Sequence, residues 1–196
     1  MGIGNPVQRH KGAVTTSAQH LAIGMISLTL VACANNGPLS VGVTDPCTSL
    51  SNIVDDYPSG FEKYRGAGND YHSVTLFRAK EQLVKGHCEI WSWSGGDHAY
   101  VCTANALAAE VAAERYQSSV GFVSQCLGSG WTREIIKRQR DGLPLGEATR
   151  FTSSEAPGLV VSVENLNPKK SYRQWHSNYL YIGSQSRAPS RQPATE

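Results

Sequence analysis

Cys33 is the residue whose surroundings define its chemistry most sharply. It follows a segment of 12 mostly apolar residues, 21–32, and Arg9 and Lys11 lie upstream with no acidic residue in between. A bilayer span needs about 20 apolar residues, so this segment is too short to cross a membrane and predicts the core of a signal peptide. The alternatives are an ordinary secretory signal with a chance cysteine, or a buried N-terminal helix.

The sequence Leu-Val-Ala-Cys at residues 30–33 resembles, at every position, the lipobox of bacterial lipoprotein signal peptides. The resemblance implies that residues 1–32 are removed and that Cys33 becomes the first mature residue, with diacylglycerol on its thiol and a further acyl chain on its amine. At about 0.8 kcal/mol per buried methylene, several such chains form an effectively permanent anchor. Residues 33–46 are then a lipidated tether. Ala34, the second mature residue, implies the outer membrane, with the domain facing the periplasm or the exterior.

The predicted mature chain is formally neutral. The whole chain carries 18 basic and 16 acidic residues; Arg9 and Lys11 leave with the signal, so 16 of each remain. A general attraction to nucleic acid is therefore not indicated. The remaining 164 of 196 residues suffice for one hydrophobic core. We predict one globular domain at residues 47–183 and a disordered tail at 184–196.

The other four cysteines are Cys47, Cys88, Cys102 and Cys126. An even number of thiols in an exported chain favours two disulfides. A zinc site that uses these thiols with His87 or His98 is the competing interpretation. The sequence has no Cys-x-x-Cys pair and no histidines at ligand spacing, so we expect no metal.

Residues 88–93 and 98–102 are two β-prone runs joined by Ser-Gly-Gly-Asp, which predicts a tight hairpin. A three-residue loop places Cys88 directly opposite Cys102. A two-residue loop would put their side chains on opposite faces of the sheet.

The Ala-rich segment 103–127 follows the hairpin and has apolar residues at steps of three and four. This spacing predicts an amphipathic helix, capped by Thr103 or Asn105 and stopped by Gly128.

The length of this helix restricts the disulfide pairing. An unbroken helix up to Cys126 would be roughly 30 Å long, and bridged Cα atoms lie only about 4.4–6.8 Å apart. We therefore expect Cys88 to pair with Cys102, and Cys47 with Cys126. A helix broken near residues 118–121 would instead bring Cys126 towards Cys88.

Further β-prone segments surround the hairpin and helix, and a glycine-rich turn is expected at residues 66–70. These segments are residues 61–64, 73–84, 131–138, 148–152, 158–164 and 173–182. The predicted fold class is α+β, a single antiparallel sheet with one long amphipathic helix packed on one face and two disulfides as staples.

Residues 86–165 resemble a loose class of uncharacterised secreted proteobacterial proteins. The shared features are a Cys-bearing strand, an Ala-rich helix ending in Cys126-Leu127, and following strands. The resemblance implies a fold and no activity.

Side chains that could perform catalysis are scattered along the chain. Asp97 and His98, with Ser92 or Ser94, are the residue types of a nucleophilic triad, but no Gly-x-Ser-x-Gly elbow exposes a serine. A glycosidase needs two carboxyls at a set separation. The remaining candidate acids and histidines are Asp55, Asp56, Glu62, Asp70, His72 and His87. We assign no catalytic residue.

Two groups of side chains could bind a partner. Trp91 and Trp93 share one strand face, as do Tyr179 and Tyr181; such rows form either packed surface or a sugar or peptide platform. We expect Trp91 to be core, and we expect contacts at the polar segments 66–70 and 141–147. The only basic cluster, which fits a solvated strand or an anionic surface, is Arg133, Lys137, Arg138 and Arg140.

The preferred function is a membrane-anchored, non-catalytic envelope lipoprotein that acts as an interaction or binding module. Its partner would be an envelope protein or a cell-wall component, and no cofactor is expected. The alternative is a cell-envelope hydrolase that uses loop carboxylates or histidines.

Overall fold

The computed structural model describes residues 42–84, 87–140, 142–167 and 176–188. Over these residues the chain forms one eight-stranded antiparallel sheet with two helices. The predicted signal peptide, the lipid site at Cys33 and most of the tether lie outside the described residues. No helix in the described ranges has the length and apolar character needed to cross a bilayer.

Eight strands follow one another along the chain. They are β1 (Arg65–Tyr71), β2 (Val74–Ala79), β3 (Cys88–Trp93), β4 (His98–Ala106), β5 (Thr132–Arg140), β6 (Leu143–Thr152), β7 (Leu159–Leu166) and β8 (His176–Ser184). Their order in the sheet is β1-β2-β3-β4-β8-β7-β6-β5. Two four-stranded meanders therefore meet where β4 pairs with β8.

Two helices lie on one face of this sheet. Helix α1 (Pro46–Asp55) begins with a proline, which suits the first helical position, and the Asp45 carboxylate accepts a hydrogen bond from the Thr48 N–H at 3.1 Å. Helix α2 (Ala109–Leu127) connects β4 to β5 and ends at Gly128, which has a φ of +71°. Glycine is favoured at a helix end with positive φ because it has no Cβ.

The main core lies between the helices and the sheet. The buried side of α2 carries the residues that the helical spacing predicted, among them Tyr116, Val120 and Val123. They pack in one cluster with Leu180 and Val161 of the central strands. Burial of this apolar stripe holds the helix on the sheet.

Both expected disulfides are present. Cys47 is bonded to Cys126, with their Cα atoms 4.9 Å apart, and Cys88 is bonded to Cys102. The hairpin has the predicted three-residue loop: the Trp93 N–H donates to the Asp97 carbonyl at 3.0 Å, and Cys88 is the direct partner of Cys102.

The start of the long helix differs from the prediction. Strand β4 continues to Ala106, and α2 begins only at Ala109, without a side-chain cap. Residues 103–106 pair with β8 along their whole length. Sheet pairing therefore overrides the helical preference of this Ala-containing segment.

The segment before the hairpin also differs. The predicted turn at residues 66–70 is strand β1, and residues 61–64 form a 3₁₀ turn rather than a strand. A Cβ added at Gly68 would lie 2.6 Å from the Phe77 ring of β2. The glycine here accommodates an aromatic ring on the neighbouring strand, so it does not mark a loop.

Three further differences remain. Helix α1 was not expected from the sequence. Strand β6 begins at Leu143, so part of the polar segment 141–147 is strand. At the other end, residues 185–188 turn back after β8 and bury Ala188. The rest of the expected tail lies outside the described residues.

Candidate functional site

The sheet face opposite the two helices, here called the open face, carries a second apolar cluster. Along β3, Cys88 and Ile90 point into the main core, so alternation directs Trp91 and Trp93 to the open face. Both rings are half-buried there, against Ala99, Val101 and Val160. The expectation that Trp91 is a core residue is therefore only half met.

A cavity of about 280 Å³ lies on the open face. One part of its lining, here called the aromatic wall, consists of Trp91, Trp93, Tyr179 and Tyr181 on β3 and β8. Arg138 and Arg140 come from β5, and Arg187 follows β8 and lies against Trp93. Strands β3 and β5 are five steps apart, a distance of roughly 24 Å in a flat sheet at about 4.8 Å per step. The long Trp and Arg side chains of these two strands reach towards each other over this span and line one cavity.

The aromatic wall is held by contacts between its own members. The rings of Trp91 and Trp93 meet edge to face, with their centroids 5.9 Å apart. The Trp91 indole N–H donates a hydrogen bond to the Glu89 carboxylate at 3.1 Å. The Tyr181 hydroxyl donates to the Ser184 carbonyl at 2.9 Å. These bonds fix the rings while leaving part of their faces accessible.

Arg187 lies against the aromatic wall. Its guanidinium lies 5.2 Å from the centre of the Trp93 ring and forms a 2.7 Å ion pair with Asp97. Hydrogen bonding to Arg187 holds the pKa of Asp97 below its usual value. An arginine stacked on an indole and paired with a carboxylate has a restricted position.

Glu164 of β7 is the buried polar group of the cavity. Its residue surface is only 4 % exposed, and its nearest cation is the Nε of Arg138, at 3.6 Å. Burial raises the pKa of Glu164, and the nearby charges of Arg138 and Arg150 offset this only in part. A buried carboxyl with a perturbed pKa in a cleft is typical of functional sites.

A glycine lies on the strand between Arg138 and Glu164. Strand β6 separates their strands, and its Gly146 lies directly opposite Arg138. Gly146 has a φ of +146°, and a Cβ there would collide with the Asn165 carbonyl. Glycine is therefore the residue that fits this position of β6, beside the Arg138–Glu164 pair.

Comparison with known proteins gives no assignment. No protein-family model matches the chain, no curated protein shows significant similarity to it, and no solved structure matches it significantly. The site must therefore be interpreted from its own geometry.

The catalytic triad that the sequence suggested is not assembled. His98 and Ser92 are register partners, but Asp97 is bound to Arg187, whereas the His98 ring lies 3.3 Å from the Arg65 guanidinium. Burial, followed by the charge of Arg65, lowers the pKa of His98. The aspartate and the histidine are thus engaged with different partners.

The other candidate acids and histidines are not brought together either. Among the described residues, no group of three or more His, Cys, Asp or Glu side chains could hold a metal ion. Asp55 ends α1, Asp70 lies on the edge strand β1, and His72 occupies the exposed turn after it.

The structure divides the basic cluster between the two faces of β5. Arg138 and Arg140 line the cavity. Lys137 points to the helix side and forms a 2.8 Å ion pair with Glu147, and Arg133 alternates to that same side.

Two residues of the cavity, Glu164 and Arg187, were missed in the sequence analysis. Alternation along β7 places Glu164 on the same face as Val160, a signal that could have been used. Arg187 was assigned to the tail, and nothing in its local sequence indicates that the chain turns back onto the sheet.

Proposed function

We propose that the chain is a lipid-anchored, non-catalytic protein of the bacterial cell envelope whose domain binds a ligand in the open-face cavity. The observation that carries the binding role is the cavity itself, which combines an aromatic wall with three arginines and the buried Glu164. Binding sites combine apolar walls with a few placed polar groups in this way. The lipobox at residues 30–33 and the two disulfides support an exported, anchored chain.

The cavity role can be tested with two arginines of one strand. Arg140 lines the cavity, and Arg133 lies on the other face of β5; both are exposed. We expect wild type and Arg133→Gln, immobilised as full chains, to retain the same component of a detergent-solubilised native envelope, and Arg140→Gln to lose it. Equal retention by all three proteins would contradict binding in the cavity.

One observation favours a hydrolase as the second candidate. Glu164 is buried, has a raised pKa and lines a cleft, which are the properties of a general acid. This hypothesis expects cleavage of an envelope polymer, measured as new reducing ends, and its loss in Glu164→Gln. Ligand binding without cleavage supports the preferred function instead.

A further inference from the structure

The charges around the cavity are not balanced. Arg187 is paired with Asp97 at 2.7 Å, and Arg138 with Glu164 at 3.6 Å. Arg140 lines the same cavity and forms no salt bridge with any residue in the described ranges. The lining as a whole holds three arginines and one glutamate, so positive charge is in excess there, which favours an anionic ligand.

The buried carboxyl group of Glu164 can accept more hydrogen bonds than the protein gives it. The 3.6 Å separation from Arg138 Nε is longer than a hydrogen bond, and a carboxyl group can take part in several. A ligand hydroxyl inside the cavity would give Glu164 a partner there. Within the protein the Ser162 side chain offers Glu164 one hydrogen bond, and a flat anion without hydroxyl groups would leave the rest of this capacity unfilled, which is unfavourable.

The aromatic wall adds a third requirement. The half-buried faces of Trp91 and Trp93 offer a surface for an apolar ring face. The cavity volume of about 280 Å³ lies just below the roughly 300–1,000 Å³ typical of pockets for drug-sized ligands. It therefore fits one ring-sized unit.

We propose that the cavity binds a single acidic sugar unit, with its carboxylate on Arg140, its hydroxyls on Glu164 and a C–H face of its ring on the tryptophans. This inference rests on the proposed function, because an envelope location would expose the cavity to acidic polysaccharides. The sugar acid could be a free molecule or one unit of such a polymer, since both present the same chemistry.

Calorimetric titration of the full chain in detergent micelles tests the proposal. The probes are galacturonate, the neutral sugar galactose, and benzoate, which is a flat anion without hydroxyls. We expect galacturonate to bind at least about tenfold more tightly than galactose or benzoate. A tenfold change in affinity is typical of about one charged hydrogen bond that is gained or lost. Arg140→Gln should weaken galacturonate binding by a similar factor, and Arg133→Gln should leave it unchanged.

Two further arms define the ligand. Glu164→Gln should weaken galacturonate and galactose alike, because it acts on the hydroxyls. A galacturonate trisaccharide that binds more tightly than the monomer identifies a polymer as the source, and equal affinities identify the free sugar acid.

The proposal is overturned if galactose or benzoate binds as tightly as galacturonate, or if galacturonate does not bind. The retention experiment under Proposed function then separates two cases. If the titration fails but Arg140→Gln still loses the envelope component, only the sugar-acid assignment fails and the cavity remains the binding site. If retention of that component is also independent of Arg140, the proposed function fails with it.

Discussion

Glu164 is the residue on which the chemistry of the open face depends most. A carboxylate this deeply buried is expensive unless it is paired or protonated. Its only salt bridge in the described ranges is with Arg138, which lies across the intervening strand β6. The sequence alone could not show this pairing, because it requires the order of β5, β6 and β7 in the sheet.

The raised pKa of Glu164 makes stability dependent on pH. Since the folded-state pKa lies above the unfolded value, the folded state holds the proton more tightly. The contribution of Glu164 to stability is complete below the unfolded pKa of about 4.3 and is lost as pH rises through the folded pKa. We expect Glu164→Gln to remove this decline from the free energy of unfolding, measured by urea denaturation across the acidic to neutral range. If the free energy of unfolding depends on pH in the same way for both proteins, Glu164 is not the source of this pH dependence.

Trp91 should contribute less to stability than a core tryptophan. Its ring is half-buried in the second apolar cluster, so Trp91→Ala should cost roughly half of the about 3–5 kcal/mol typical of a buried Trp. Urea denaturation measures this cost, and the same variant should lose the envelope ligand. If Trp91→Ala lowers the free energy of unfolding by the full amount typical of a buried Trp and still binds the ligand, Trp91 is a core residue as the sequence analysis expected.

At the scale of elements, local signals were sufficient where turn chemistry and side-chain pattern agreed. The β3–β4 hairpin followed from its Ser-Gly-Gly-Asp loop and its cysteines, and the buried side of α2 followed from its spacing. The glycine-rich strand β1 and the extension of β4 to Ala106 could not be predicted locally, because Phe77 and the distant strand β8 determine them.

The Cys47–Cys126 disulfide ties α1 to the end of α2. Cys47 is exposed and Cys126 half-buried, so replacing both by Ala removes little packing. The bond closes a loop with a sequence separation of 79, and chain entropy for a loop of this size contributes about 4.5 kcal/mol.

We therefore expect the double variant Cys47→Ala/Cys126→Ala to have a free energy of unfolding lower than that of wild type by about this amount, measured by denaturant titration. Reduced wild type lacks both disulfides, so its further loss gives the contribution of the Cys88–Cys102 bond. A loss below about 1 kcal/mol would mean that packing alone holds α1 in place.

At the scale of the whole molecule, β4–β8 pairing joins two meanders into one sheet and brings Trp91, Tyr179 and Arg138 to one concavity. The aromatic half of this site was predictable, because alternation places each aromatic pair on one strand face. Its cationic part was not, because the strand order β4-β8-β7-β6-β5 brings Arg138 and Arg140 to this cavity, and Arg187 lies in a segment that was expected to be tail.

Lipid anchoring can be tested at Cys33, which lies outside the described residues. We expect Cys33→Ala to give an unprocessed or soluble product, because the thiol is the attachment point for diacylglycerol. Labelled palmitate should be incorporated by wild type only. Equal incorporation by both proteins would rule out this anchor.

Site-specific photo-crosslinking in living cells tests the central claim most directly. Leu166 lines the cavity, whereas Leu107 is 82 % exposed in the segment between β4 and α2; a diazirine analogue of leucine would replace either side chain with little change in shape. We expect irradiation to join an envelope component to position 166 and not to position 107, and the Arg140→Gln exchange to abolish this product. Crosslinking at position 107 alone, or at position 166 with no dependence on Arg140, would contradict ligand binding in the open-face cavity.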